Sequence, residues 1–379
     1  MDKVSFKTDI YMGKNALDRL LEIKKKKVFI ITDPFMIASG AIEQITNRLD
    51  EGNNEVCIFS DIAPDPPIET VVAGVKEMAA FYPDAIIALG GGSAIDAAKA
   101  MKEFSKKIIG DASIPFIAIP TTSGTGSEAT SFSVITDSEK HVKYPLVSET
   151  LLPEEAILDP ELVKTVPKAV TADTGMDVLT HALEAYVSIR ANEISDAFAE
   201  KAVFLVFEYL PRTYNDGHDM EAREKMHIAS CIAGMAFNLA GLGLNHGIAH
   251  VCGAKFGIPH GRVNSILLPA VIEYNANVKG YGSNDYSLAA RKYAALAKRL
   301  GLSASNPRTG VRSLIHAIAN LQKHMEMPAC LRACGVEYAQ LESLKETIAQ
   351  AALQDGCTRT NPRQPTEEDI QRIILKIYN

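Results

Sequence analysis

A chain of 379 residues that is 47% hydrophobic and 22% charged can bury large cores, and its length suggests two or three domains. The net charge of −7 argues against nucleic-acid binding, which needs a basic surface. The start MDKVSFKTDI lacks a secretory signal's apolar segment, the longest uncharged run (228–244) falls short of the ~20 residues of a membrane span, and the six scattered cysteines form no CxxC pair, so a cytoplasmic, reduced protein without nucleic-acid or membrane partners is expected.

In chain order, the lysine run 24–27 reads as a solvated element end before the first strand. VFIIT (28–32), VCIF (56–59), AIIAL (85–89) and FIAI (116–119) read as strands, and their unbroken apolarity predicts burial on both faces. Helical periodicity, as at 68–80, lies between them, which is the βαβ pattern of a parallel sheet. From about residue 171 helical patterns dominate. Pro167 and the cap-type residues Thr171 and Asp173 mark the change, which places an α/β domain over 1–169 and a helical domain over 170–379. The run 228–244, with Ser230, Asn238 and three glycines, reads as a buried core helix.

Two loops carry nucleotide-site chemistry. DAIIALGGGSAIDAAKAM (84–101) runs strand, glycines, serine, helix, so its backbone can approach a phosphate at a helix N-terminus, with Ser93 adding a hydroxyl. It is neither GxGxxG nor a Walker A loop, and a tightly packed turn is the alternative. PTTSGTGSEAT (120–130) crowds the hydroxyls of Thr121, Thr122, Thr125 and Ser127 after the next strand, at the edge where open α/β sheets bind ligands; a polar surface loop is the bland alternative. Asp33 ends the first strand. It suits both a ribose hydroxyl and an N-cap before Pro34, and the two roles are compatible.

The histidines suggest a metal. His246 and His250 are spaced i, i+4 and share a helix face, whereas His260 would lie ~21 Å from His246 on a straight helix. Convergence therefore requires a bend, which Gly253, Gly257 and Pro259 can supply. Asp177 and His181 form a second i, i+4 pair in an apolar helical pattern, costly to bury without partners; a buried Asp–His hydrogen bond is the alternative reading. Asp177, His181, His246 and His260 would make an N₃O set suited to Fe(II), Zn, Co or Mn, whereas Glu184, on a neighbouring face, reads as a salt-bridge or hydrogen-bond partner.

The motifs GGGSxxDxAK (90–99), PTTSGTGSE (120–128), GMDxLTHxxExY (175–186) and GLGLNHxxAH…PHG (241–261) together resemble the iron-containing (group III) alcohol dehydrogenase family over essentially the whole chain. The stretches TGMDVLTHALEAYVS and AGMAFNLAGLGLNH are most similar to the family's 1-propanol dehydrogenases of propanediol-degrading bacterial microcompartments. The resemblance implies a Rossmann-like α/β domain, an all-α catalytic domain, and NAD(H)-dependent interconversion of short aldehydes and primary alcohols, propanal and 1-propanol above all. It implies Fe(II), with Zn(II) as the alternative, on Asp177, His181, His246 and His260, and His250 as a proton-handling residue outside the ligand set. It carries cofactor contacts onto Asp33, Asp65, Gly91, Gly92, Ser93, Asp96, Thr121, Thr122, Thr125, Thr130, Val134 and Lys143, and places Phe237 at the substrate cleft. Asp65 departs from the asparagine of several members, and Asp33 goes with NAD preference. A homodimer or larger assembly is implied, with microcompartment proteins or an aldehyde-producing enzyme as partners. The alternatives are a polyol (glycerol-type) dehydrogenase of the same fold and a non-catalytic metal- or nucleotide-binding assembly protein.

Overall fold

In the computed structural model, which describes residues 4–110, 114–138, 142–278 and 285–379, the apolar runs of the first half pair into one parallel sheet. Its strands are β1 (Asp9–Met12), β2 (Lys27–Thr32), β3 (Glu55–Phe59), β4 (Ala85–Gly90), β5 (Phe116–Pro120) and, after a separate antiparallel pair β6 (Phe132–Asp137) and β7 (Val142–Val147), β8 (Glu155–Leu158). The order is β1-β8-β5-β4-β2-β3. Helices α1 (Pro34–Ala38), α2 (Ala41–Glu51), α3 (Ile68–Phe81) and α4 (Gly92–Ile109) connect the strands.

Unbroken apolarity in the central strands has a direct cause. Phe29, Ile31, Ile86 and Ala88 enter one core with Val71 and Met78 of α3 and Ile95 and Met101 of α4. Val28, Ile30, Ile87 and Leu89 enter the opposite core with Ile45 and Leu49 of α2. Each such side chain contributes ~1.5–3 kcal/mol by leaving water. The expectation fails for β3: it pairs only with β2, at the sheet edge, and Ile58 is 37% exposed. The short β1 and β8 and the β6–β7 pair gave too little apolar run to be read from the sequence.

The second half is helical: α5 (Lys168–Val187), α6 (Glu193–Asn215), α7 (Met220–Ala240), α8 (Leu244–Phe256), α9 (His260–Ala276), α10 (Leu288–Arg299), α11 (Pro307–His324), α12 (Tyr338–Gln354) and α13 (Glu367–Lys376). Pro167 does open α5, but its predicted caps do not act as caps. Thr171 and Asp173 lie inside the helix, and Asp173 instead pairs with Arg262 at 2.9 Å. The chain divides into two compact units, Met1–Val166 with Gly217–Gly234, and Pro167–Asp216 with Met235–Asn379.

The run 228–244 covers the end of α7 and the turn into α8, and none of its residues is exposed. Among the described residues no single helix is long and apolar enough to cross a membrane; α7 and α8 pass such a test only as a pair bent by 111°.

In the second unit, Leu244, Ile248 and Cys252 of α8, Val263, Leu267 and Val271 of α9, Ile348 of α12 and Ile370 and Ile374 of α13 share one core. The bend required to bring His260 back exists. Gly257 ends α8 at φ +64°, and Pro259 opens α9 at His260. Gly261 then lets α9 approach α5, because a Cβ there would lie 2.1 Å from the Asp173 carbonyl oxygen. A methyl group has no room unless a backbone moves. Gly261→Ala is therefore expected to destabilise the fold by ~1–3 kcal/mol, read as a lowered midpoint in urea unfolding.

Candidate metal and nucleotide sites

The second unit gathers the predicted ligands through three helices. Asp177 and His181 lie one turn apart on α5, His246 on the first turn of α8 and His260 at the start of α9. Asp177, His181 and His246 each offer a donor atom within 4.8 Å of the others, all three residues buried. His260 adjoins this trio, with its Nε2 3.6 Å from Asp177 Oδ1 and its ring 5.3 Å from that of His246. His246 Nε2 is also 3.6 Å from Asp177 Oδ1. His260 has 41% of its side chain exposed, so the cluster is open on that side.

The charges of the cluster are tightly coupled. Burial opposes ionisation of Asp177, but the imidazoles of His181, His260 and His246 outweigh it and hold its carboxyl far below the usual range. Burial likewise opposes protonation of His246, yet Asp177 and Glu184 push its pKa up to about 9. Glu184, on α5, receives His246 Nδ1–H at 2.6 Å through Oε2 and the Asn245 backbone N–H at 2.6 Å through Oε1. That bond fixes the ring's orientation and leaves Nε2 facing Asp177, as an outer carboxylate does for a metal-bound histidine. Glu184 is thus a hydrogen-bond partner, reaching another helix rather than its own.

His250 lies one turn after His246, with its Nδ1 2.8 Å from Asp355 Oδ2 and its ring stacked on His260 at 5.3 Å. Burial disfavours the Asp355 carboxylate, but the His250 bond keeps its pKa below the ordinary value. Phe237 stacks on His181 at 4.7 Å and supplies an apolar wall. Asn245, Asn264 and Asp355 were not singled out from the sequence. Only Asn245, next to His246, had a signal in a quoted motif.

In the first unit, β4 hands over to α4 through Gly90 and Gly91, and Gly92 and Ser93 form the first turn of α4. Ser93 Oγ accepts the Asp65 backbone N–H at 3.3 Å, which folds the 65 loop beside the glycine loop. Thr121 donates its backbone N–H to the Gly90 carbonyl at 3.0 Å, and Thr122 and Thr125 lie against Gly91 and Gly92. Asp33 caps α1: its Oδ1 accepts Phe35 N–H at 2.9 Å and Met36 N–H at 3.1 Å. Its Oδ2 faces Gly90.

Asp96 and Thr130 face the interior, and Val134, half-buried, meets Asp96 through its backbone N–H. Asp96 accepts Ser127 Oγ–H at 2.6 Å and Val134 N–H at 2.9 Å. Lys99, fully buried, donates to Ser127 Oγ at 2.9 Å, Thr130 Oγ1 at 3.2 Å and the Phe132 carbonyl at 2.7 Å. These bonds brace the 120–134 loop from beneath. Lys143 lies on β7 opposite Thr136, and its side chain falls outside the described atoms. The quoted GGGSxxDxAK motif contains Lys99, but its role required the fold.

With both sites described, the comparisons with known proteins can be read. Residues 7–160 match the family described as iron-containing alcohol dehydrogenase, and residues 171–378 match the Fe-containing alcohol dehydrogenase family, C-terminal. The chain belongs to the iron-containing alcohol dehydrogenase family and is an oxidoreductase of alcohols and aldehydes. It is 45% identical to the 1-propanol dehydrogenase PduQ of Salmonella typhimurium, covering 100% of both chains. It is 39% identical to the NADPH-dependent butanol dehydrogenase of Clostridium saccharobutylicum, covering 100% of this chain and 98% of that one. The crystal structure of a 1,3-propanediol oxidoreductase superposes with a TM-score of 0.89 at 34% identity, covering 100% of both.

The buried cation beneath the loop has a measurable signature. Burial pushes Glu128 up to about 7 and Lys99 down to about 8, each partly opposed by its charged neighbours. Glu128 holds its proton longer when folded, so it costs stability as pH rises from about 4.5 to about 7. Lys99 releases its proton earlier when folded, so the penalty for burying its charge is relieved as pH rises from about 8 to about 10.5. Glu128→Gln is expected to raise the melting temperature relative to wild type more at pH 7.5 than at pH 5. Lys99→Met leaves buried carboxylates without their cation and is expected to cost ~3–5 kcal/mol in urea unfolding.

Proposed function

We propose that this protein is a metal- and NAD(H)-dependent alcohol dehydrogenase that interconverts short aldehydes, propanal foremost, and primary alcohols. The observation that carries the reading is the buried carboxylate–imidazole cluster. Donors ~2.2 Å from one tetrahedral ion lie ~3.6 Å apart, and Asp177 Oδ1 stands 3.6 Å from both His246 Nε2 and His260 Nε2. Asp177, His181, His246 and His260 fit a divalent ion on chemistry and spacing, and the family name favours Fe(II) on a set that equally suits Zn(II). When bound, the ion supplies Lewis acidity at the substrate oxygen and the nicotinamide supplies or accepts hydride.

The protein's own groups have separate tasks. Gly91, Gly92 and Ser93, with Thr121, Thr122 and Thr125, cradle the pyrophosphate at the α4 N-terminus. Asp33 caps α1 with Oδ1 and offers Oδ2 to a ribose hydroxyl, and its charge repels a 2′-phosphate. Asp96, Thr130 and Val134 act through the loop they brace, and Asp65 and Lys143 complete the proposed cofactor set. His250, held by Asp355, moves the proton between the substrate oxygen and solvent. Phe237 favours short apolar substrates. The balance is aldehyde, NADH and a proton to alcohol and NAD⁺. The resemblance extends the proposal to a cytoplasmic homo-oligomer working beside an aldehyde-producing enzyme, inside a microcompartment.

The test is anaerobic NADH oxidation with propanal by metal-stripped protein, before and after adding back Fe(II) or Zn(II). Metal-dependent turnover is expected; turnover with glycerol-type polyols but not propanal would overturn the substrate assignment. His260→Ala and His246→Ala are expected to lose metal and activity together. His250→Ala is expected to keep its metal and lose ~10²–10⁴ in rate. Asp33→Asn keeps the cap acceptor and removes the charge, so the ratio of kcat/KM for NADPH over NADH is expected to rise at least ~10-fold.

A further inference from the structure

Asn264 lies one turn after His260 on α9, is fully buried, and is not one of the proposed ligands. Its Nδ2 stands 2.7 Å from Asp177 Oδ1, 3.1 Å from His246 Nε2 and 3.0 Å from His260 Nε2. One amide nitrogen therefore caps the face defined by three of the four candidate donor atoms. Its orientation follows from the contacts. Asn245 Nδ2 donates to Asn264 Oδ1 at 2.8 Å and to the Asn264 carbonyl at 3.1 Å. A flipped amide would set its oxygen against the Asp177 carboxylate oxygen and its NH₂ against the NH₂ of Asn245.

We propose that Asn264, anchored by Asn245, is the positioning residue of the metal site, resting on the reading that Asp177, His181, His246 and His260 bind the ion. An NH₂ group has two hydrogens and here stands within hydrogen-bond distance of three atoms, so it cannot bond all of them at once. It holds the Asp177 oxygen and the two Nε2 atoms facing one point. The arrangement keeps the ligand set assembled without closing it to an ion. Glu184 fixes the rotation of His246 from outside, and Asn264 fixes the inward side.

The test measures metal affinity directly, by chelator competition with Fe(II), Zn(II) and Co(II), together with the visible spectrum of the Co(II) form. Wild type, His246→Ala, Asn264→Ala, Asn245→Ala and the double variant are compared, with circular dichroism confirming the fold. Asn264→Ala is expected to weaken binding ~10–100-fold and alter the Co(II) spectrum. Asn245→Ala should move in the same direction, with the double variant no weaker than Asn264→Ala alone. If Asn264→Ala fails to fold, Asn245→Ala carries the same comparison by releasing the amide without removing it. Wild-type affinity and an unchanged spectrum in Asn264→Ala, or in a folded Asn245→Ala where Asn264→Ala does not fold, would overturn the inference and leave the metal reading standing. Binding by His246→Ala as tight as wild type, or no binding by wild type, would overturn that reading and the inference together.

Discussion

A carboxylate buried among imidazoles is the constraint on which the second unit depends. Asp177 is buried inside a helix, where an isolated charge would be prohibitively costly. Its charge is supported because His181, His246 and His260 converge on it and Asn264 donates to it at 2.7 Å. That convergence explains otherwise unrelated sequence features: the i, i+4 pair on α5, the left-handed Gly257, and the glycine after His260 that permits close approach.

The surrounding polar groups are as ordered as the cluster itself. Glu184 engages His246 and the Asn245 backbone with both oxygens, and Asn245 in turn orients Asn264. Asp355 plays the corresponding part for His250. Networks of this kind are costly when partly satisfied and rigid when complete. A site built on helix side chains, with His246 and His250 each held by a carboxylate, gives geometry that loops would not hold.

The first unit uses a buried charge differently. Lys99 donates to two hydroxyls and a carbonyl, and with Asp96 it ties the 120–134 loop to α4. The glycine loop and the hydroxyl-rich loop follow adjacent strands, β4 and β5, so their common position at the sheet edge is a consequence of strand order. Residues within one motif thereby divide into those at the loop surface, such as Ser93 and Thr122, and those that support them, such as Asp96 and Thr130.

The sequence by itself determined the parallel sheet, because strands buried on both faces must be apolar at every position, and it determined the helical second half by its 3.6-residue period. It also offered Asp177, His181, His246 and His260 as a candidate set beside the alternative of a buried Asp–His hydrogen bond, and the family resemblance supplied the ligand assignment and the separate part of His250. Tertiary structure decided what depends on which elements become neighbours. Short β1 and β8 join the sheet through partners distant in sequence; β3 is an edge because no strand among the described residues pairs on its far side; Thr171 and Asp173 lie inside a helix that begins at Lys168. Asn264 and Asp355 show the same limit. Asparagines and aspartates are common, and what sets these two apart is a distance to a histidine on another element, which local sequence does not encode.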